Sequence, residues 1–294
     1  MMIHSITGAT SVVGVLGYPV VHSLSPLMHN AAFEAMKLDW VYVPFPVAPE
    51  AVGNAVHGAI ALGIKGMNVT IPHKSAVIPY LDQLTPEAMA IQSVNTIAIT
   101  EQGVIGHSTD GPGFLRALTE RGFDVVGKNV VVLGAGGASR AVVGALAVAG
   151  AAKISIVARH PERAEELYAL GTQLSSVEAS VCVLPWDNQV SRAIQHAELL
   201  VNATPIGMAP HDAAHSPVPI EWLHDGLWVY DLVYTPRPTT LLRYAAERGC
   251  QTIDGLAMLI YQGAEAFTFW THLPAPVTIM ESALTTYLRK ENSE

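Results

Sequence analysis

The sequence is poor in cysteine and in charged residues, and both shortages exclude classes of protein. Cys182 and Cys250 are the two cysteines among 294 residues, and they lie too far apart for a CxxC zinc or redox motif. Two isolated thiols do not build a disulfide framework, so we expect free cysteines in a reducing, cytoplasmic compartment. Charged residues make up 14% of the chain and hydrophobic residues 50%, which predicts a sizeable core rather than disorder.

Positive charge and long apolar runs are also scarce. The net charge of −9 argues against nucleic acid as a partner, because binding of the phosphate backbone needs a basic surface. The N-terminal residues lack the basic patch and apolar run of a signal peptide. The longest run of small apolar residues, 141–152, is too short to cross a bilayer. We therefore expect a small-molecule partner, no membrane contact, and a monomer or homodimer.

Apolar β-branched runs alternate with helical patterns along the chain. Strands are predicted at residues 12–16, 41–45, 66–69, 130–133, 154–158, 199–203 and 228–233, with a hairpin of 96–100 and 103–106. Helices are predicted at residues 26–38, 49–62, 86–91, 139–149 and 256–270, and a further helix is predicted to start near His73. Ser25 is the predicted N-cap of the first helix, with Pro26 at its first position. This alternation predicts an α/β fold with a mainly parallel sheet.

A glycine-rich turn, GAGGAS at residues 134–139, stands between a predicted strand and a predicted helix. Without β-carbons, the backbone amides of Gly134, Gly136 and Gly137 can approach a pyrophosphate closely, at the positive end of the following helix. Ser139 replaces the third glycine of the usual dinucleotide fingerprint and is still small enough for close packing. The alternative is a tight βα turn that binds no ligand.

The next predicted strand ends without the acidic residue that NAD-specific sites place there to accept from the ribose hydroxyl. Ala158 and Arg159 stand at this point, and Arg163 follows four residues later. A guanidinium binds a 2′-phosphate in a bidentate manner, so this pattern favours NADP. The alternative is that both arginines are solvated surface charges.

Three polar segments of the first half lie at predicted strand ends or helix starts, where α/β proteins bind ligands: residues 23–30, 66–74 and 106–111. Ser23 and Ser25 at a helix N-terminus can donate to a carboxylate, although N-capping alone would also explain Ser25. Lys74 is either a site residue or an ordinary surface lysine.

Together, the motifs of the chain resemble those of shikimate dehydrogenases over nearly its whole length. They are SLSP-x-x-x-N (23–30), G-x-NVT-x-P-x-K (66–74), SVNT (93–96), TDG-x-G-F (109–114), GAGGASRA (134–141), NATP-x-GM (202–208), D-x-x-Y-x-P-x-x-T-x-LL (231–242) and G-x-x-ML-x-x-QGA (255–264). The resemblance implies a substrate domain (1–110 and 255–294), a Rossmann-type NADP domain (111–254) and a cleft between them. The implied reaction is NADPH-dependent reduction of 3-dehydroshikimate to shikimate, a step of aromatic amino-acid synthesis.

The resemblance also implies roles for individual residues. Lys74 and Asp110 correspond to the catalytic pair, in which Lys74 acts either as the acid–base group or as an electrostatic clamp. The implied substrate contacts are Ser23, Ser25, Thr70, Lys74, Asn95, Asp110, Tyr234 and Gln262. The implied cofactor contacts are Gly134, Ala135, Gly136, Gly137, Ala138, Arg159, Arg163, Thr204 and Met258.

The chain departs from the family pattern at two positions. Ser108 and Ala158 each stand where the family usually has asparagine, before the Thr-Asp pair and before the phosphate-binding arginine. The rival interpretations are a quinate/shikimate dehydrogenase that uses either nicotinamide cofactor, and a ligand sensor without turnover. A zinc site at His211 and His215 is a weaker alternative, because no third ligand is evident. We therefore expect no metal.

Overall fold

The structure is a computed structural model that describes residues 6–175, 180–209 and 212–291. The chain divides into two compact units. The first unit comprises residues 1–109 and 260–294, and the second unit comprises residues 110–259. The division assigns no role to either unit, so the substrate and cofactor roles expected of the two domains stay predictions.

The described residues form the following strands: β1 (Ser11–Gly17), β2 (Trp40–Pro46), β3 (Gly66–Val69), β4 (Gln83–Leu84), β5 (Thr96–Thr100), β6 (Gly103–His107), β7 (Asn129–Leu133), β8 (Lys153–Val157), β9 (Ser180–Leu184), β10 (Leu199–Asn202), β11 (Trp228–Asp231) and β12 (Gln251–Asp254). The α-helices are α1 (Ser25–Ala35), α2 (Val52–Ala61), α3 (Pro86–Ile91), α4 (Asp110–Glu120), α5 (Gly137–Val148), α6 (Pro161–Leu174), α7 (Asn188–Gln195), α8 (Thr240–Glu247), α9 (Gly255–Thr271) and α10 (Val277–Glu291).

The sheet of the first unit has the strand order β2-β1-β3-β5-β6-β4 and mixes both strand directions. Strand β1 pairs in parallel with β2 and β3, whereas β5 runs antiparallel to β3 and β6. The predicted hairpin is confirmed as β5–β6. The turn between these two strands is short, so they run in opposite directions. Strand β4 pairs in parallel with β6, so three of the five pairings described for this sheet are parallel and the expectation of a mainly parallel sheet is confirmed.

The helix expected near His73 does not form. Residues 74–77 make a turn and Ile78–Tyr80 a single 3₁₀ turn. Pro79 lies inside the segment, and a proline both lacks the amide hydrogen that an α-helix needs and restricts the residue before it. The segment from Pro72 onward is therefore compact but not helical, and it carries Lys74 close to the end of β3.

The N-terminus of α1 differs from the expected cap. Leu24 is the N-cap, with helical φ and ψ and no side-chain capping bond, and Ser25 is already the first residue of the helix. The hydroxyl oxygen of Ser23 accepts the Ser25 amide at 3.3 Å and so does part of the work of a cap. The Ser25 side chain is therefore not used for capping, which was the alternative to a binding role.

The second unit is a parallel sheet with the strand order β12-β11-β10-β7-β8-β9. Renumbered from β7, this is the 3-2-1-4-5-6 order of the Rossmann fold, whose order reverses between β7 and β10. Helix α5 begins at Gly137, two residues before the predicted start, so the last glycine of the turn already belongs to the helix. The expected combination of an α/β first domain with a Rossmann-type second domain is confirmed.

Buried apolar side chains fill both units. In the second unit, alternate residues of β7 and β10 pack against α7 and α8, with Val131, Leu200 and Leu241 at most 1% exposed. In the first unit, the core lies between the sheet and α2, around Leu16, Val56 and Ile97. Within the described ranges, no helix is both long enough and apolar enough to pass through a bilayer.

Candidate active site

The proposed carboxylate contacts lie at the start of α1. Ser23 is half-buried and Ser25 is 6% exposed. Burial raises the pKa of the Tyr42 hydroxyl, and the Ser25 side chain lowers it to a lesser extent. Asn30, at the middle of α1, accepts from the Tyr42 amide at 2.8 Å and donates to its carbonyl at 2.9 Å. These bonds hold α1 against β2 and so fix where the two serines stand.

Thr70 follows β3 directly and lies against the end of β1. Its amide donates to the Leu16 carbonyl at 2.9 Å, which continues the β1–β3 pairing by one residue. A β-carbon at Gly17 would come within 2.3 Å of the Thr70 methyl group, so only glycine lets the two strands end this close together. Thr70 and the serines after β1 are thus carried by neighbouring parallel strands.

Lys74 is half-buried in the turn after β3. Its carbonyl oxygen accepts the Val94 amide at 2.8 Å, and the His73 ring, which is fully buried, contacts the Val47 carbonyl at 2.7 Å. The backbone of Lys74 is therefore tied to the segment just before Asn95, which brings two motifs that are distant in sequence together.

Asn95 is the centre of a buried polar cluster. Its side-chain oxygen accepts the amide of Thr109 at 2.8 Å and the hydroxyl of Thr96 at 3.1 Å. Its amide nitrogen donates to the hydroxyl oxygen of Thr109 at 2.9 Å and to Gln262 Oε1 at 3.2 Å. Asn95 is 3% exposed, so these bonds are strengthened by the low local dielectric. Of the expected substrate contacts, the structure brings Asn95 and Gln262 into direct contact.

Asp110 is the first residue of α4 and is 4% exposed. It follows Thr109, whose amide and hydroxyl are both bonded to Asn95. Lys74 belongs to the first unit, whereas Asp110 begins the second. The expected partnership of these two side chains stays a prediction.

Tyr234 and Thr204 lie beyond the carboxyl ends of β11 and β10. Burial raises the pKa of the Tyr234 hydroxyl. Thr204 donates to Asn202 Oδ1 at 2.7 Å, and Asn202 in turn donates to Asp231 Oδ1 at 2.9 Å. Burial raises the pKa of Asp231 to about 6, against the opposing effect of its hydrogen bonds from Thr239, Val233 and Asn202. The loop after β10 is therefore held in place by hydrogen bonds that lead to the buried side chain of Asp231.

The glycine-rich turn after β7 is shaped by two of its glycines. Gly134 has φ +109°, and a β-carbon there would lie 3.0 Å from the Ala203 carbonyl. Its amide donates to the Val157 carbonyl at 2.8 Å, and the Gly136 amide donates to the Ser139 hydroxyl at 3.2 Å. The Gly134 and Gly136 amides thus make hydrogen bonds within the unit. The amides of the turn that lie at the start of α5 are those of Gly137 and Ala138. A β-carbon at Gly136 would meet nothing within 4 Å, so the space beside the turn is open.

Arg159 and Arg163 are both exposed, one just after β8 and the other in the first turn of α6. Met258, in the first turns of α9, is 7% exposed. A glycine-edged open space at the N-terminus of a twelve-residue helix, with two exposed guanidinium groups on the adjacent strand and helix, fits a dinucleotide that carries an extra phosphate.

Sequence reasoning did not assign roles to four buried polar residues of the first unit: Tyr42, Asn68, Thr96 and Thr109. A signal was present for Asn68, because it is a polar residue inside the otherwise apolar strand β3. Buried polar groups require partners, so such positions predict a hydrogen-bond network even before its members are known.

The histidine pair weighed as a zinc site cannot be followed as a pair, because His211 lies outside the described residues. His215 is exposed and pairs with Asp212. Across residues 6–175, 180–209 and 212–291, no group of three or more potential metal ligands occurs.

Three descriptions of known protein families match separate parts of the chain. "Shikimate dehydrogenase substrate binding domain" matches residues 15–97, "Shikimate / quinate 5-dehydrogenase" residues 117–208, and "Shikimate 5'-dehydrogenase C-terminal domain" residues 255–285. The matches occur in the order in which the sequence motifs occur.

Full-length relatives give the same result. A protein from Moorella thermoacetica named shikimate dehydrogenase (NADP(+)) is 48% identical over 95% of this chain and 94% of its own length. A crystal structure of a shikimate dehydrogenase in complex with NADP+ is 42% identical, with a TM-score of 0.89 over 96% of this chain and 97% of the other. A shikimate 5-dehydrogenase from Listeria monocytogenes in complex with shikimate and NAD is 36% identical, with a TM-score of 0.88 over 96% and 99% of the two chains.

Proposed function

The chain belongs to the shikimate dehydrogenase family, and we propose that it catalyses the NADP-dependent interconversion of 3-dehydroshikimate and shikimate. The observation that carries this proposal is the 48% identity to an NADP-dependent shikimate dehydrogenase over 95% of the chain. The motifs support it, because Lys74 and Asp110, which correspond to the family's catalytic pair, are both present. The biological role that follows is a step in aromatic amino-acid synthesis.

In this proposal, the first unit binds the ring acid. Ser23 and Ser25 hold the carboxylate, and Thr70, Asn95 and Gln262 contact the ring hydroxyls. Two short hydroxyl side chains leave room for the planar carboxylate of an unsaturated ring. The support is that Ser25 is not used as a helix cap and that Asn95 and Gln262 contact each other.

Lys74 and Asp110 carry the proton chemistry. Reduction of a ketone requires a proton for the oxygen that becomes negative, and a positioned ammonium both stabilises that charge and delivers the proton. Lys74 Nζ donates to this oxygen, while Asp110 orients the ammonium and a neighbouring substrate hydroxyl. Tyr234, which follows β11, is the remaining proposed substrate contact.

The second unit holds NADP, which supplies or accepts the hydride when it is bound. The amides of Gly137 and Ala138 meet the pyrophosphate at the N-terminus of α5, beside the turn residues Gly134, Ala135 and Gly136. Arg159 and Arg163 pair with the adenosine 2′-phosphate, for which a guanidinium has the matching geometry. Thr204 and Met258 line the remainder of the cofactor site.

The test is the absorbance of reduced nicotinamide after shikimate or quinate is mixed with NADP or NAD. We expect the largest kcat/KM for shikimate with NADP. Absence of turnover with shikimate and either cofactor, in a folded preparation, would refute the proposed activity. A rate on quinate equal to that on shikimate would instead support the quinate/shikimate alternative, for which the absence of asparagine at Ala158 is the relevant departure.

We also propose a cytoplasmic location and a monomeric or homodimeric state. Cys182 and Cys250 are both free thiols, in keeping with a reducing compartment. Cell fractionation tests the location, and light scattering of the purified chain tests the state of association.

A further inference from the structure

A continuous chain of hydrogen bonds in the first unit leads from Tyr42, which lies outside the proposed site, to two of the proposed substrate contacts. In order, it links the side chains of Tyr42, Asn68, Thr96, Asn95 and Gln262. Tyr42, Asn68 and Thr96 are 1%, 6% and 0% exposed, so this part of the chain is shielded from water.

Two backbone groups set the direction of this chain. The Asn95 carbonyl can only accept, and it lies 3.1 Å from the Asn68 side chain, so the Asn68 atom there is its amide nitrogen. The Thr109 amide can only donate, and it lies 2.8 Å from the Asn95 side chain, so the Asn95 atom there is its oxygen. Both amide side chains therefore have one orientation.

The position of every hydroxyl proton in the chain follows. Asn68 turns its oxygen to Tyr42, so the Tyr42 hydroxyl donates its single proton at 2.7 Å. Thr96 accepts from Asn68 at 3.1 Å and donates to Asn95 at 3.1 Å. All bonds run in the same direction, and such chains strengthen each member by polarisation.

Packing holds Tyr42 in place at the start of this chain of hydrogen bonds. The ring of His29 stacks on the Tyr42 ring at 4.5 Å with 4° between the planes, and Trp270 packs against both. Burial lowers the pKa of His29 to about 3, so this ring is neutral near pH 7. Tyr42 therefore has little freedom to move, and its hydroxyl fixes the position of Asn68 Oδ1.

We propose that Tyr42 is a positioning residue for the acid substrate, which fixes the Asn95 and Gln262 amides at the ring hydroxyls through Asn68 and Thr96. This inference rests on the proposed function, because it gives Asn95 and Gln262 a common ligand. Its consequence is that these contacts are oriented as a set before substrate binds, which lowers the cost of ordering them on binding.

The first test is Tyr42→Phe, with Tyr80→Phe as the matched loss of a tyrosine hydroxyl from an exposed site of the same unit. Tyr42→Phe leaves Asn68 Oδ1 without its donor and frees the amides that follow in the chain of hydrogen bonds to turn. We expect KM for shikimate to rise about tenfold, while kcat changes by less than about threefold and KM for NADP by less than about twofold. Tyr80→Phe should leave all three values as in the wild type.

Thr96 offers a second test at another link. Thr96→Val keeps the shape but removes the hydroxyl, whereas Thr96→Ser keeps the hydroxyl, so Val should raise KM for shikimate and Ser should restore it. In addition, Tyr42→Phe combined with Thr96→Val should raise KM for shikimate little more than Thr96→Val alone, because both substitutions break the same chain of hydrogen bonds.

The outcomes separate this inference from the function on which it rests. A folded wild type without shikimate turnover would overturn both. An active wild type whose Tyr42→Phe and Thr96→Val variants keep a normal KM for shikimate, or whose paired substitutions are strictly additive, would overturn the inference alone.

Discussion

The two units hold their proposed site residues by different means. In the first unit, buried side chains hold one another, and Asn95 alone makes hydrogen bonds to Thr96, Thr109 and Gln262. In the second unit, the proposed cofactor residues Arg159 and Arg163 are exposed, and the glycine-rich turn is shaped by backbone bonds. We conclude that the substrate side is organised by a side-chain network, whereas the glycine-rich turn and the arginines of the cofactor side are organised by the chain path. Thr204 is the exception on the cofactor side, because it bonds Asn202, which in turn bonds the buried Asp231. A substitution in the network of the first unit should therefore propagate, and one at the turn or the arginines should act locally.

The largest expected effect is that of Lys74→Ala. Loss of the proposed proton donor should lower kcat by about 10²–10⁴-fold, the usual contribution of general acid–base help. NADP affinity should stay nearly unchanged, because Lys74 belongs to the unit without the proposed cofactor residues. Steady-state kinetics and calorimetric titration with NADP check the two parts.

Lys65→Ala is the matched control, since Lys65 is an exposed lysine of the same unit. Its kcat should equal that of the wild type. Near-normal turnover of Lys74→Ala would remove Lys74 from the mechanism.

The next effect is a pH-dependent stability centred on Asp231. Its folded pKa of about 6 lies above its ordinary value of 3.8, so the folded state keeps a proton that the unfolded state loses. The free energy of unfolding attributable to Asp231 is thus greatest below about pH 4 and falls by up to about 3 kcal/mol as the pH rises past 6.

Asp231→Asn isolates this contribution in denaturant unfolding at several pH values. The substitution keeps an oxygen for Asn202 and Val233, and the Thr239 hydroxyl can reverse its bond to accept from the new amide. The free energy of unfolding of the wild type minus that of the variant should fall by up to about 3 kcal/mol from pH 4 to pH 7. A difference that is independent of pH would contradict the raised pKa.

A smaller, local effect is expected from Arg159→Ala. The ratio of kcat/KM for NADP to that for NAD should fall by about tenfold or more, because the pairing with the 2′-phosphate is lost. KM for shikimate should not change. Arg121→Ala, another exposed arginine of the second unit, is the control. An unchanged cofactor ratio would identify Arg159 as a surface charge.

The smallest effect compares two neighbours in the first unit. The Ser108 hydroxyl is buried and has no hydrogen-bond partner among the described residues, whereas the Thr109 hydroxyl is bonded to Asn95. Ser108→Ala should leave the free energy of unfolding unchanged or raise it by about 1 kcal/mol. Thr109→Val should lower it by about 1–3 kcal/mol. Equal losses in the two variants would mean that the network adds no stability.

The difference between chain path and side-chain contacts also explains which features could be predicted from the sequence. The turn at Gly134 and the strands around it are local features, so the βαβ unit was predictable from composition and order. The starts of helices were less predictable. Leu24 rather than Ser25 is the N-cap of α1, and the segment after His73, which contains Pro79, forms a single 3₁₀ turn instead of the expected helix.

The polar network was not predictable in its partners. Tyr42 and Asn68 are 26 residues apart, and Asn95 and Gln262 are 167 apart. Only the packing of the sheet and helices brings such pairs together, and no local pattern encodes the distance. The motifs nevertheless contain Asn68, Thr96 and Thr109, so family resemblance pointed to the segments while the structure supplied their connections.

The most direct test of the whole account is a crystal structure of the chain with NADP and shikimate bound together. We expect Lys74 Nζ and an Asp110 carboxylate oxygen to lie within about 3 Å of the reacting part of shikimate. We also expect the ring carboxylate at Ser23 and Ser25, and the adenosine phosphate at Arg159. A complex in which shikimate is bound but Lys74 or Asp110 points away from it would contradict the proposed site.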